Sequence, residues 1–236
     1  MRKSAPYLCN VVIDLEFTPV PTKACAGGLR NEIVEVGAVK LAPDGSIVAE
    51  FSHIVRPTIG RGVSGRVHKL TGIGDEDVLC ARPLPEVLEA LSAWIGPGRV
   101  RMVTWSGHDL KQIKSECEAK GIDVQLPNRW LDIQSLYPRL VGLPHRRKVA
   151  LGEAADWCGI PNNKKEAHRA LYDAKMTARI FAMMAAGEFS AHKERMRTVI
   201  ATPEEKAPCA STIADRCSGL AALLAGLVAS EAASAA

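Results

Sequence analysis

Apolar and polar positions along the chain follow two periods. Residues 8–17, LCNVVIDLEF, form a short apolar run of the kind that predicts a buried strand. Residues 32–41, EIVEVGAVKL, alternate, with Ile33, Glu35, Gly37 and Val39 opposite Val34, Val36 and Ala38. Asp44-Gly45 then predicts a tight turn, and residues 47–57 predict a third strand. Three consecutive strands joined this way predict an antiparallel meander. The period then lengthens. Residues 83–96 place Val87, Leu88, Leu91 and Ile95 on one helical face, closed by Gly96-Pro97. Residues 100–105, VRMVTW, predict a fourth strand, and Ser106 is an N-cap candidate for a helix over HDLKQIKSECEAK that ends at Gly121. A short fifth strand is expected around Trp130–Ile133, and helices over 149–159 and 168–186. No internal repeat is visible.

Length and composition fit one α/β domain with an extension. The chain has 236 residues, 47% hydrophobic and 24% charged, which suffices for a buried core and an ordinary surface. The expected domain is 1–200. Residues 201–236 turn rich in Ala, Ser and Pro and carry Ile213, Leu220, Leu223, Leu224 and Leu227. They read either as one helix docking on the domain or on a second copy, or as a frayed tail. The start, MRKSAPYLCNVVIDLEF, has the basic pair and apolar stretch of a leader, but Asp14 and Glu16 interrupt it, so a strand and a cytoplasmic protein are expected. No charge-free apolar run reaches the roughly 18 residues a membrane span needs. The net charge of +4 permits a nucleic-acid partner without requiring one. The seven scattered cysteines have no metal-finger spacing and read as reduced thiols.

A few polar residues sit where the pattern calls for apolar ones. Asp14 and Glu16, two apart in a strand, point to the same side between apolar neighbours. Their mutual repulsion and desolvation require a positive partner, either Lys or Arg or a hard divalent cation. Asp173 lies on a helical stripe with Met176, Thr177, Ile180 and Met184. It reads as a site residue or as an acid favoured near a helix start. His168 follows the polar loop PNNKKEA, and Asp109 falls in the first turn after the fourth strand. Taken singly, a bystander histidine and a capping aspartate explain both.

Together they form an ordered pattern: D-x-E on the first strand, Asp after the fourth, then H-x-x-x-x-D on a late helix. This resembles the DEDD-type 3′→5′ exonucleases, in the subclass whose fifth residue is histidine, over roughly residues 8–186. LTGI at 70–73 and HRALYDAKMTARI also resemble family segments, while DLEFT, the long segment after it, and WSGHD resemble the branch of small-RNA- and histone-mRNA-trimming exoribonucleases. The resemblance implies an RNase H-like fold: a mixed five-stranded sheet, first three strands antiparallel, helices on both faces. It implies two Mg²⁺ or Mn²⁺ ions, with Asp14, Glu16 and Asp173 on the first, Asp14 bridging to the second, and Asp109 supporting the second. It assigns His168 the proton of the attacking water, a task an imidazole suits near neutral pH. Phe17, Thr18, Leu70, Thr71 and Gly72 would contact the terminal nucleotide, although Phe17 equally fits a core position.

The expected partners are single-stranded RNA or DNA 3′ ends, with RNA favoured, no membrane, and a homodimer open. Lys69, Arg146, Arg147, Lys148, Lys164 and Lys165 are either phosphate-directed or plain surface charge. The alternatives are a DNA-directed proofreading or repair exonuclease and a non-catalytic nucleic-acid-binding adaptor of this fold. The adaptor predicts damage to the acidic set, and all five positions are intact.

Overall fold

A computed structural model describes residues 9–21, 28–60, 62–143, 147–187 and 189. Its centre is a six-stranded sheet of β1 (Cys9–Pro19), β2 (Asn31–Leu41), β3 (Ile47–Arg56), β4 (Arg82–Pro83), β5 (Val100–Thr104) and β6 (Trp130–Asp132), in the order β4-β3-β2-β1-β5-β6. The first three strands form the expected antiparallel meander, and β5 and β6 continue it in parallel. The expected count of five is corrected to six: β4, only Arg82 and Pro83, pairs with Val55 and Arg56 and is too short for any periodicity to show. At the Asp44-Gly45 turn, the Asp44 carboxylate accepts the Ser46 amide at 2.9 Å and Gly45 takes φ 88°.

Central position explains the apolar runs. β1 and β2 are covered on both faces, so both kinds of alternating position are buried. On one face Val11, Ile13 and Leu15 pack with Ile33, Val36 and Ala38 against α3 (Leu84–Ile95) and Ile113 of α4 (His108–Lys120). Each fully buried Leu or Ile there contributes on the order of 1.5–3 kcal/mol. On the other face lies α7 (Ala170–Ala185), which packs along β1, β2 and β3. Gly37 permits this: a Cβ there would overlap the Leu171 amide and the Ala170 carbonyl group.

Three helices escaped the sequence pattern: α1 (Gly65–Thr71), α2 (Asp75–Leu79) and α5 (Ile133–Val141). The first two have seven and five residues, too few for a helical period to show. Ile133, expected to end a strand, instead opens α5, because the Asp132 side chain accepts the Ser135 amide at 3.0 Å and caps the helix. The other helix is α6 (Leu151–Trp157). Gly107, not Ser106, is the N-cap of α4; Ser106 Oγ accepts the His108 amide at 3.3 Å from one position further out. Among the described residues no helix is long and apolar enough to cross a membrane. The expectations for residues 201–236 and Arg146 lie outside the described residues.

Candidate active site

Strand pairing sets the first part of the site. On the face toward α7, Asp14 lies opposite Gly37 and Glu16 opposite Glu35. Just beyond, a bulge between Glu16 and Phe17 breaks the register, so Phe17 pairs with Ile33 and packs on the opposite core. β5 runs parallel beside β1, so the chain leaving its carboxyl end delivers α4, and Asp109 in its first turn, close to Asp14. Asp109 is 5% exposed, and its carboxylate accepts the Leu15 amide.

α7 supplies the rest. Asp173 sits in its first turn, its carboxylate accepting the His168 amide at 3.3 Å. One oxygen or nitrogen from each of Glu16, His168 and Asp173 lies within 4.8 Å of the others. His168 takes φ 66°. It is the one non-glycine residue with positive φ among those described, and histidine tolerates this region better than most. The left-handed residue turns the chain out of 164–168, a turn rather than a plain loop. Asn163 holds that turn, its carbonyl accepting the amides of Glu166 and Ala167.

Glu35 was not singled out by the sequence. It is 1% exposed and grips Arg169, whose Nη2 donates to Oε1 at 2.8 Å and whose Nε donates to both oxygens at 3.2 Å. Its Oε2 also accepts the Ala170 amide at 2.9 Å, so a strand residue caps α7 from 135 positions away. The available signal was a glutamate at an inward position of a central strand, on the same side as Gly37. Glu35 thereby orients the helix that carries Asp173.

The acidic set lacks compensation. Among the described residues no Lys or Arg forms an ion pair with Asp14, Glu16, Asp109 or Asp173. Burial, then Asp109, Asp173, Glu16 and Glu35, push Asp14 well above the carboxylate range. Burial, then Asp173, Glu35 and Asp109, push Glu16 up to about 8. Burial, with the Asp132 charge added, pushes Asp109 up to about 7 against its amide hydrogen bonds. Burial raises Asp173, although His168 pulls it down. Arg169, held by Glu35, offsets Glu16 only in part, and four hard oxygen donors that repel one another and form no ion pair with a described lysine or arginine are the donor set a divalent ion fits.

The residues expected at the terminal nucleotide divide. Thr18 is fully buried and its Oγ1 accepts the Ser64 amide at 2.9 Å. Thr71 is also buried, its hydroxyl donating to the Val67 carbonyl and accepting the Ile73 amide. These two hydroxyl groups hold the segment before and within α1. Leu70 is 48% exposed and Gly72, with φ 76°, ends α1, so these two face outward. Of the surface cations, Lys69, Lys164 and Lys165 are exposed, Arg147 pairs with Glu153 at 2.9 Å, and Lys148 lines a cleft beside α4.

Comparison with known proteins follows the same outline. The exonuclease family RNase_T matches residues 11–181. A PolC-type DNA polymerase III of Caldanaerobacter subterraneus is 32% identical over 174 residues, covering 74% of this chain and 11% of that one. The ERI1 exoribonuclease 2 of Danio rerio is 29% identical over 191 residues, 71% of this chain and 33% of that protein. The chain thus spans about a tenth of the first relative and a third of the second. The nuclease domain of 3′hExo, a DEDDh member bound to rAMP, shares the fold with a TM-score of 0.66 at 23% identity, covering 78% of this chain and 96% of that one.

Proposed function

The chain belongs to the RNase_T exonuclease family, and from this premise we propose that it trims single-stranded nucleic acid, RNA by preference, from the 3′ end to nucleoside 5′-monophosphates. The observation that carries the reading is the uncompensated set Asp14, Glu16, Asp109 and Asp173 with His168 beside two of its members. The RNA preference rests on the DLEFT and WSGHD resemblances and on the exoribonuclease relative.

The four carboxylates would hold two Mg²⁺ or Mn²⁺ ions. Bound there, such ions activate water and stabilise charge on the leaving oxygen. His168 accepts the proton of the attacking water and, being exposed, passes it to solvent. The water oxygen joins phosphorus, the bond to the 3′ oxygen breaks, and that oxygen takes a proton from solvent and stays on the shortened strand as a hydroxyl. The Glu35–Arg169 pair keeps Asp173 and His168 aligned with β1 through this cycle. Leu70 and the edge of Phe17 offer apolar surface to the terminal base.

Matched 5′-labelled RNA and DNA strands, incubated with and without Mg²⁺ or Mn²⁺, test this. We expect a ladder shortening one nucleotide at a time from the 3′ end, faster on RNA and abolished by EDTA. Faster loss of DNA would assign the chain to the repair class instead, and an uncut strand under every ion would overturn the nuclease reading.

A further inference from the structure

Two clefts meet on the first turn of α4. One, of about 520 Å³, is walled by Phe17, Arg30, Asn31, His108 and Lys111. The other, of about 400 Å³, is walled by Ser106, His108, Lys111, Asp132, Arg147 and Lys148. They share His108 and Lys111, so they adjoin across the start of α4 and, taken together, are called one groove. The second cleft reaches the acidic set at Asp109: Asp132, in its wall, is near enough for its charge to raise Asp109.

Its charge is opposite to that of the site it passes. Arg30, Lys111 and Lys148 are exposed and have no carboxylate partner among the described residues. Arg147 is committed to Glu153 and lies over the Trp157 ring at 5.4 Å. Among the described residues Asp132 is the one carboxylate in either wall, and its Oδ1 already accepts the Ser135 amide. A polyanion held only by the four site acids would be repelled. Cations on both flanks of Asp109 supply the attraction those acids lack, and Phe17 adds a ring for a base to stack on.

We propose, on the basis of the nuclease reading, that this groove carries the strand upstream of the scissile bond. Arg30, Lys111 and Lys148 face successive phosphates of a single-stranded nucleic acid, and a substrate of several nucleotides is therefore bound better than a single one.

Two assays separate this proposal from the reading beneath it. The first is fluorescence anisotropy of a labelled single strand of about twelve nucleotides, without divalent ions, for wild type and the Lys111→Ala, Lys148→Ala double variant. Both lysines are exposed, so circular dichroism should be unchanged. We expect Kd to rise about tenfold and the slope of log K against log salt to shrink by about 1.4, roughly 0.7 for each phosphate no longer neutralised. An unchanged Kd and slope would overturn the groove. The second is hydrolysis with Mn²⁺ of the p-nitrophenyl ester of thymidine 5′-monophosphate, which has no upstream phosphate, compared with the same single strand. The variant should lower the strand-to-ester ratio of kcat/KM about tenfold, mainly through KM on the strand. A constant ratio would also overturn the groove. A wild type that cleaves neither substrate contradicts the nuclease reading, while the anisotropy result still decides the groove.

Discussion

Glu32 and Glu116 form one group of enclosed carboxylates in this molecule, and Asp14, Glu16, Asp109 and Asp173 form another. The first group is answered within the protein. Glu32, 0% exposed, accepts the amides of Thr58, Ile59 and Gly60 at 2.5–2.9 Å. Lys120 reaches both Glu32 and Glu116 at 2.7 Å. Glu116 also accepts the Ile33 amide and the Gln112 side chain. Burial alone would push Glu32 up, yet Lys120 and the three amides hold it below its ordinary value. Burial still keeps Glu116 raised against the same lysine. The second group meets a few amides and no ion-pairing cation, and all four of its members are raised. Burial is common to both groups and so does not mark function; the missing counter-charge does.

Substitutions that exchange the two situations break this contrast if it is wrong. The largest effect is expected in the second group: Asp14→Ala or Asp173→Ala should lower turnover by at least about 10⁴-fold, some 5.5 kcal/mol of barrier. Circular dichroism should show the fold intact, and turnover within tenfold of wild type would refute the role. Next, Lys120→Met should leave Glu32 and Glu116 buried without their cation, at a cost of about 3–5 kcal/mol in urea unfolding. A loss below about 1 kcal/mol would mean that the backbone amides suffice. His168→Ala should reduce kcat by about 10²–10⁴-fold and flatten the acid limb of the pH–rate profile; a wild-type profile would remove its role as base. The smallest effect is expected for Glu35→Gln, which weakens the grip on Arg169 while keeping an acceptor for the Ala170 amide. Turnover should fall about 10–100-fold with little change in substrate KM, and full activity would show that α7 is aligned without it.

Much of this contrast was readable from residue order, and some was not. Asp14 and Glu16 stood out because two carboxylates on one side of an apolar strand violate its pattern. The meander and α3 followed from long runs of clear period. Glu35 stayed hidden because one inward glutamate in an alternating strand looks like any solvent-side residue until its partner, 134 positions away, is in place. Glu32 likewise depends on three amides of the segment at 58–60, a backbone feature that no side-chain pattern encodes. Thr18 and Thr71 fell in segments that resemble the family's, yet their hydroxyls are taken up inside the fold, which pattern alone does not reveal. β4, α1 and α2 were missed because their few residues complete no period.

The melting temperature of the ion-free protein between about pH 4.5 and 8, for wild type and Glu16→Gln with and without Mg²⁺, tests the missing counter-charge most directly. Glu16 is raised from 4.5 to about 8, so the folded state prefers it protonated. Its stabilising contribution is complete below about pH 4.5 and is lost as pH climbs through about 8. Without ions, wild type should therefore lose ground to Glu16→Gln steadily across that range. Added Mg²⁺ should close the gap at pH 8, by raising the wild type far more than the variant. A difference that stays constant with pH, and no gain from Mg²⁺, would mean that the four acids are compensated within the protein and are not a metal site.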